Sequence, residues 1–208
     1  MMWCLSVCTI PADARFATVA AVPDSCRAAL LLSGPENPWP SPVEATSAQD
    51  ATSVEARKKE WVERYLSVCY PLRHIRVTSP YGYRSDPFTG KRRFHDGLDL
   101  HARGEAALAM MKGVVVRVGQ DRSSGKYVTL RHGSYTVSYC HLSRVLAAKG
   151  TVVRPRDAVG ITGSTGRSTG EHLHITCKLN GKSVDPSVVF DYIRTTQQEC
   201  ISALSRLL

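Results

Sequence analysis

From Val77 onward the chain is a succession of short runs rich in Val, Thr and Tyr, cut by glycine-containing turns: GVVVRVG, KYVTLRHG, SYTVSYCHL and EHLHITCKLNG. β-Branched and aromatic side chains suit a pleated, half-buried surface, and no helical segment alternates with these runs. Parallel strands need a crossover of a dozen or more residues, usually helical, so the pattern does not fit a doubly wound sheet. It predicts a mainly β, antiparallel domain over about residues 74–193. The runs Tyr127–Arg131 and Tyr135–Cys140 flank His132-Gly133-Ser134, which reads as a hairpin turn.

Outside that region the texture differs. Residues 1–50 mix Pro, Ser, Ala and Thr without a period, and Pro35, Pro38, Pro40 and Pro42 oppose both helix and ladder strand, so the segment reads as a leader and linker. In VEARKKEWVERYLSVCY, Trp61, Val62, Tyr65, Leu66 and Cys69 recur at helical spacing opposite Arg57, Lys58, Lys59 and Arg64. This predicts one amphipathic helix within residues 51–73, ended by Pro71, with its apolar stripe packed on the β domain. The tail at 194–208, TTQQECISALSRLL, reads as a short terminal helix.

Charge is unevenly spread. Residues 1–50 hold two basic and five acidic side chains, whereas the remainder carries 25 basic and 13 acidic ones, a net of +12. Such a surface attracts polyanions, with nucleic acid, anionic lipid and anionic cell-wall polymer all candidates on charge. No long Lys/Arg run is interleaved with aromatics, so nucleic acid is not indicated. No stretch has the apolar length of a transmembrane span. MMWCLSVCTI followed by Ala12-Asp13-Ala14 resembles a short apolar region before a cleavage site, but no Lys or Arg precedes Arg15. A signal, a misplaced start and a tail all remain open. The seven cysteines include no C-x-x-C, which argues against a zinc ribbon, and they read mainly as small buried side chains; a Cys140–Cys177 bridge stays open.

The histidines carry the chemistry. In FHDGLDL, a period of two places His95, Gly97 and Asp99 on one face, with Phe94, Leu98 and Leu100 toward the core. A straight strand would set the Cα atoms of His95 and Asp99 roughly 13 Å apart, too far for one metal ion, so the chain should bend between them. Gly97 suits such a bend and leaves room beside the ion. In GEHLHITCKL, His172, His174 and Thr176 share a face while Leu173, Ile175 and Cys177 face inward. His141 ends the run SYTVSYCHL. Two histidines and a carboxylate with an open fourth position make a reasonable catalytic zinc set, and two neighbouring imidazoles would serve proton transfer. The run GSTGRSTG lacks the G-K-[ST] ending of a phosphate loop and reads as a tight turn positioning His172 and His174.

The stretch SPYGYRSDPFTGKRRFHDGLDL, then SYCHL, then GSTGRSTGEHLH, resembles the lysostaphin/LytM type of peptidoglycan endopeptidase. The resemblance covers roughly half the chain, in order. It implies an antiparallel β-sheet domain with a long substrate groove. It further implies one Zn2+ per chain on His95, Asp99 and His174, with His141 and His172 as the catalytic pair. The substrate it implies is the peptide stems of peptidoglycan, and the place of action is extracytoplasmic, in the periplasm or cell envelope. A non-catalytic activator of other murein hydrolases and a zinc protease acting on envelope proteins are the alternatives. The sequence departs from the family pattern at His101, taken as a spare polar residue, and at the apolar Ala106–Met111 segment.

Overall fold

The computed structural model describes residues 51–208; the leader and linker reading, and Cys4, Cys8 and Cys26, lie outside them. In chain order the elements are α1 (Ala51–Leu66), β1 (Val77–Ser79), β2 (Gly82–Ser85), β3 (Arg92–His95), β4 (Gly97–His101), β5 (Ala106–Leu108) and β6 (Gly113–Asp121). There follow β7 (Gly125–His132), β8 (Tyr135–Leu142), β9 (Arg144–Val145), β10 (Val152–Val153), β11 (Ala158–Ile161), β12 (His172–Leu179), β13 (Lys182–Val184) and α2 (Ser187–Ser205). The main sheet runs β1-β4-β12-β8-β7-β6-β10, with β13 paired to β12. A second sheet is β5-β11-β9, and β2-β3 form a separate hairpin. Every strand pairing is antiparallel. The β7–β8 hairpin turns at Gly133-Ser134, with His132 opposite Tyr135, and Gly133 takes a φ of 59° that its missing Cβ permits.

The alternation read from the sequence sets the two faces of the main sheet. Leu173, Ile175 and Cys177 on β12 are fully buried, as are Leu100 on β4 and Val137 and Tyr139 on β8. Burying each large apolar side chain contributes about 1.5–3 kcal/mol, so this face is fixed inward. It packs on the second sheet and on Val189 and Ile193 of α2. The Ala106–Met111 segment belongs to this core, since Ala107, Ala109 and Met110 expose no surface. The Met110 backbone N–H donates to the Tyr139 hydroxyl at 3.2 Å, so the buried phenol keeps a partner.

Both helices depart from the sequence expectation. The first ends at Leu66, before Pro71: the backbone N–H and hydroxyl of Ser67 both donate to the Arg64 carbonyl, at 3.1 and 2.7 Å. Val68 then pairs with Met111, so a long-range bridge takes over where helical spacing alone would continue. The helix lies along α2, where Arg64 pairs with Glu199 at 3.0 Å, while Val62 and Leu66 of its apolar stripe stay exposed. The second helix begins at Ser187, ahead of the tail, and buries Val189, Ile193, Thr196, Cys200 and Ala203 at steps of three, four and seven. Cys140 pairs with His174 on the outer face and Cys177 with Val137 on the inner one. The two thiols therefore lie on opposite sides of the sheet, and Cys69, Cys140, Cys177 and Cys200 are all free.

Candidate metal centre

The outer face of the sheet is the floor of a groove of about 660 Å³, walled on one side by the β2–β3 hairpin and on another by the loop between β11 and β12. On the floor, Asp99 of β4 is registered with His174 of β12. His95 arrives from outside the sheet. It ends β3, the chain breaks at Asp96, and β4 starts at Gly97, which supplies the required bend. Gly97 has another use. A Cβ there would stand 2.5 Å from His174 Cε1 and from the Ile175 carbonyl oxygen, and 2.7 Å from His174 Nε2. The glycine thus provides the space in which the His174 imidazole lies. Phe94 departs from the expected inward direction. Being on the hairpin, it is exposed and packs edge-on to Tyr81 and Tyr83 at 5.0 and 5.1 Å between centroids.

His95 Nε2, Asp99 Oδ1 and His174 Nδ1 converge, separated by 3.1 Å (His95–His174), 3.2 Å (His95–Asp99) and 2.7 Å (His174–Asp99). The donor atoms of this group all lie within 4.8 Å of one another, as a bound metal ion requires. Tetrahedral zinc with ligands at roughly 2.0–2.1 Å places its donors about 3.3 Å apart, so the set accepts zinc after opening by roughly 0.1–0.6 Å. Outer contacts already orient the donors. His95 Nδ1 donates to the Pro80 carbonyl at 2.7 Å, which fixes its proton there and leaves the Nε2 lone pair facing inward. His174 Nε2 stands 3.9 Å from Asp96, and Arg84 stands 3.6 Å from Asp99 Oδ2, leaving Oδ1 to the centre. Burial alone would raise the Asp99 carboxyl, but hydrogen bonds and attraction from His174 and His95 outweigh it and hold it well below the usual carboxylate range.

Two more imidazoles flank this group. The His141 ring lies 4.7 Å from that of His172 and 5.5 Å from that of His174. Strict alternation would have pointed His141 into the core, since Ser138 and Cys140 face the groove. Between Lys126–Leu142 and Val128–Tyr139, however, Tyr127 alone opposes Cys140 and His141 together, a β-bulge. His141 takes a φ of 61° there, an uncommon conformation for a side-chain-bearing residue, and its ring is re-aimed outward. Its Nδ1 donates to the Thr165 carbonyl at 2.7 Å, and His172 Nδ1 donates to the Gly170 carbonyl at 2.9 Å. Each ring thus presents Nε2 as an acceptor. Burial, which outweighs the Thr165 bond, and repulsion from His172 and His174 push the His141 pKa down to about 4, so the ring is neutral at pH 7. His101 is opposite His172 but outside the metal group.

Sequence patterns did not reveal how the GSTGRSTG loop is held. It is more than a tight turn: Arg167 grips both oxygens of buried Asp86 at 2.8 Å, tying the loop to the β2–β3 hairpin. Asp86 in turn accepts the backbone N–H groups of Phe88 and Thr89, both at 3.0 Å. Through this link the hairpin holds in place the loop whose Thr165 and Gly170 carbonyls set the two histidine tautomers. No periodicity could pair residues 81 positions apart.

An open groove over an antiparallel sheet, with a His–Asp–His group on its floor, is the architecture of a metallopeptidase domain. Residues 93–186 match the model of Peptidase family M23, and this domain belongs to that family, of lysostaphin/LytM type. The chain is 40% identical over 118 residues to the DD-carboxypeptidase/endopeptidase Mpg of Neisseria meningitidis, a match covering 56% of this chain and 27% of that protein. Among solved structures it is similar to a zinc-containing peptidase from Vibrio cholerae (TM-score 0.50, 31% identity, 56% of this chain and 37% of that one). It is also similar to the catalytic domain of lysostaphin from Staphylococcus simulans (TM-score 0.51, 26% identity, 58% of this chain and 92% of that one). The matched region of the Neisseria relative is about a quarter of its length.

Proposed function

We propose that this protein is a zinc-dependent endopeptidase that hydrolyses peptide cross-links of bacterial peptidoglycan from the outside of the cytoplasmic membrane. The observation that carries the reading is the convergence of His95, Asp99 and His174 on one point, with the acceptor nitrogens of His141 and His172 beside it. The relatives named as a DD-carboxypeptidase/endopeptidase and as a zinc-containing peptidase support it.

His95, Asp99 and His174 would hold one Zn2+ on the floor of the groove. When bound, the ion would supply Lewis acidity, polarising the scissile carbonyl and lowering the pKa of water toward neutrality. His141, neutral at pH 7 with Nε2 free, accepts the proton of the attacking water. His172 Nε2, 3.6 Å from Asp99 Oδ1, carries a proton only when the ring is doubly protonated, because Nδ1 already donates to Gly170. In that form it steadies the developing oxyanion, and the proton taken up by His141 goes on to the leaving amine. The Thr165 and Gly170 carbonyls hold the Nδ1 protons of the two rings and so turn both Nε2 atoms toward the groove. The groove's open side admits an extended peptide, and the positive surface suits an anionic wall polymer.

His174→Ala should abolish both zinc binding and release of amino groups from sacculi. His141→Ala and His172→Ala should keep zinc while turnover falls about 10²–10⁴-fold, the usual worth of a positioned acid or base. Metal-dependent cleavage surviving in His174→Ala would overturn the ligand assignment, and unchanged rates in the other two would remove them from the reaction.

A further inference from the structure

Five Arg and Lys side chains line the groove: Arg84, Arg93, Arg117, Arg167 and Lys178. Three are committed to carboxylates. Arg84 pairs with Asp99 at 3.6 Å, and Arg93 and Arg167 pair with Asp86 at 3.4 and 2.8 Å. Among the described residues, Arg117 and Lys178 are in ion-pair reach of no carboxylate. Arg117 favours the charge of Asp121 on the same strand, but Asp121 Oδ1 already accepts the Ser123 and Ser124 N–H groups at 2.8 and 2.6 Å.

Arg117 also occupies a defined place on the floor. One residue row beyond the metal centre, the register runs Gly97–Thr176–Ser138–Thr129–Arg117 across β4, β12, β8, β7 and β6. Thr129 and Ser138 share a hydrogen bond of 2.8 Å, so this row is a hydroxyl-lined track that ends on a guanidinium. That guanidinium lies over the Tyr127 ring at 5.5 Å, which restrains the side chain and leaves its N–H fork to a ligand in the groove. A guanidinium fork matches a carboxylate in two parallel hydrogen bonds.

We propose that Arg117 is a carboxylate-binding subsite at the β6 end of the groove, selecting peptides that carry a free carboxylate at a set distance from the bond to be cut. Three inter-strand steps across and two residues along the strand separate His174 on β12 from Arg117 on β6, about 16 Å at 4.7–4.9 Å per step and 3.3 Å per residue. An extended peptide rises roughly 3.3 Å per residue, so the selected carboxylate lies about five residues from the scissile bond. That distance rests on the peptidase reading above; carboxylate binding by Arg117 does not.

The test uses the full chain and purified sacculi, either native or with their carboxylates converted to carboxamides by carbodiimide and ammonia. Co-sedimentation reads binding, and release of amino groups reads cleavage. Wild-type protein should bind amidated sacculi about three- to tenfold more weakly than native ones. Arg117→Gln should bind both alike, at the weaker level, with its melting temperature and zinc affinity unchanged. Exposed Lys149→Gln, outside the groove, should behave as wild type. Equal binding of native and amidated sacculi by wild type would overturn the subsite, as would a preference that survives in Arg117→Gln or is removed by Lys178→Gln alone. Absence of cleavage with the binding preference intact would instead refute the peptidase reading and leave the subsite standing.

Discussion

Gly97→Ala isolates the dependence of the metal centre on one missing carbon. An added Cβ would stand 2.5 Å from both His174 Cε1 and the Ile175 carbonyl oxygen, about an ångström inside ordinary contact. The Ile175 oxygen is backbone on a neighbouring, paired strand and has little freedom to move. The His174 ring must therefore rotate or the two strands must part, at an overpacking cost of about 1–3 kcal/mol. Either response carries His174 Nδ1 away from its position 2.7 Å from Asp99 Oδ1. Displacing one of three protein ligands should weaken zinc binding about a hundredfold. Zinc at a hundred times the wild-type Kd stabilises by about 2.7 kcal/mol, whereas the same concentration at a hundredfold weaker site gives about 0.4 kcal/mol. For a domain of this size, wild type should gain roughly 5–11 °C in Tm on zinc addition and Gly97→Ala only about 1 °C. Thermal melts with and without zinc, beside competition with a chromophoric chelator, measure both quantities; the metal-free melts report the packing cost separately. A Gly97→Ala variant with wild-type zinc affinity and an undiminished zinc-dependent shift would show that the metal centre does not depend on the missing Cβ.

Asp86→Asn should loosen the hold of the hairpin on the loop that carries Thr165 and Gly170, cutting turnover about tenfold while zinc affinity stays put; equal loss of metal would contradict a role through the loop. The metal-free protein should lose stability as pH falls. The unfolded His141 ring titrates near 6.5 and the folded one at about 4, so the unfolded chain binds the extra proton between those values. Its contribution is complete above about pH 6.5 and lost on the way to pH 4, and His141→Gln should flatten this part of the melting profile. Alkylation of unfolded protein without reductant should find Cys140 and Cys177 both as thiols, and a linked pair would contradict the opposite-face register.

The sheet was legible because its inner face is a repeated period-two pattern: Leu173, Ile175 and Cys177 can only point one way if His172 and His174 point the other. The candidate metal group was legible for the same reason, with a bend demanded by reach alone and found at Asp96. What alternation could not show is where alternation stops. His141 enters the groove only through a bulge, a local insertion with no composition of its own in Tyr139-Cys140-His141-Leu142. Phe94 follows its hairpin, not the main sheet, and the first helix stops early because Val68 finds Met111. The Asp86–Arg167 link and the free Arg117 depend on loops and registers that meet only in three dimensions.

Zinc-dependent hydrolysis of wall peptides is read out by mass spectrometry of sacculi digested by the purified, zinc-loaded protein, with a chelator-treated sample alongside. Cross-linked muropeptides should resolve into uncross-linked ones with water added across a peptide bond and a new amino terminus. Chelator should suppress this, and restored zinc should revive it. Muropeptide profiles unchanged by zinc-loaded protein, or a cleavage that persists after complete metal removal, would contradict it.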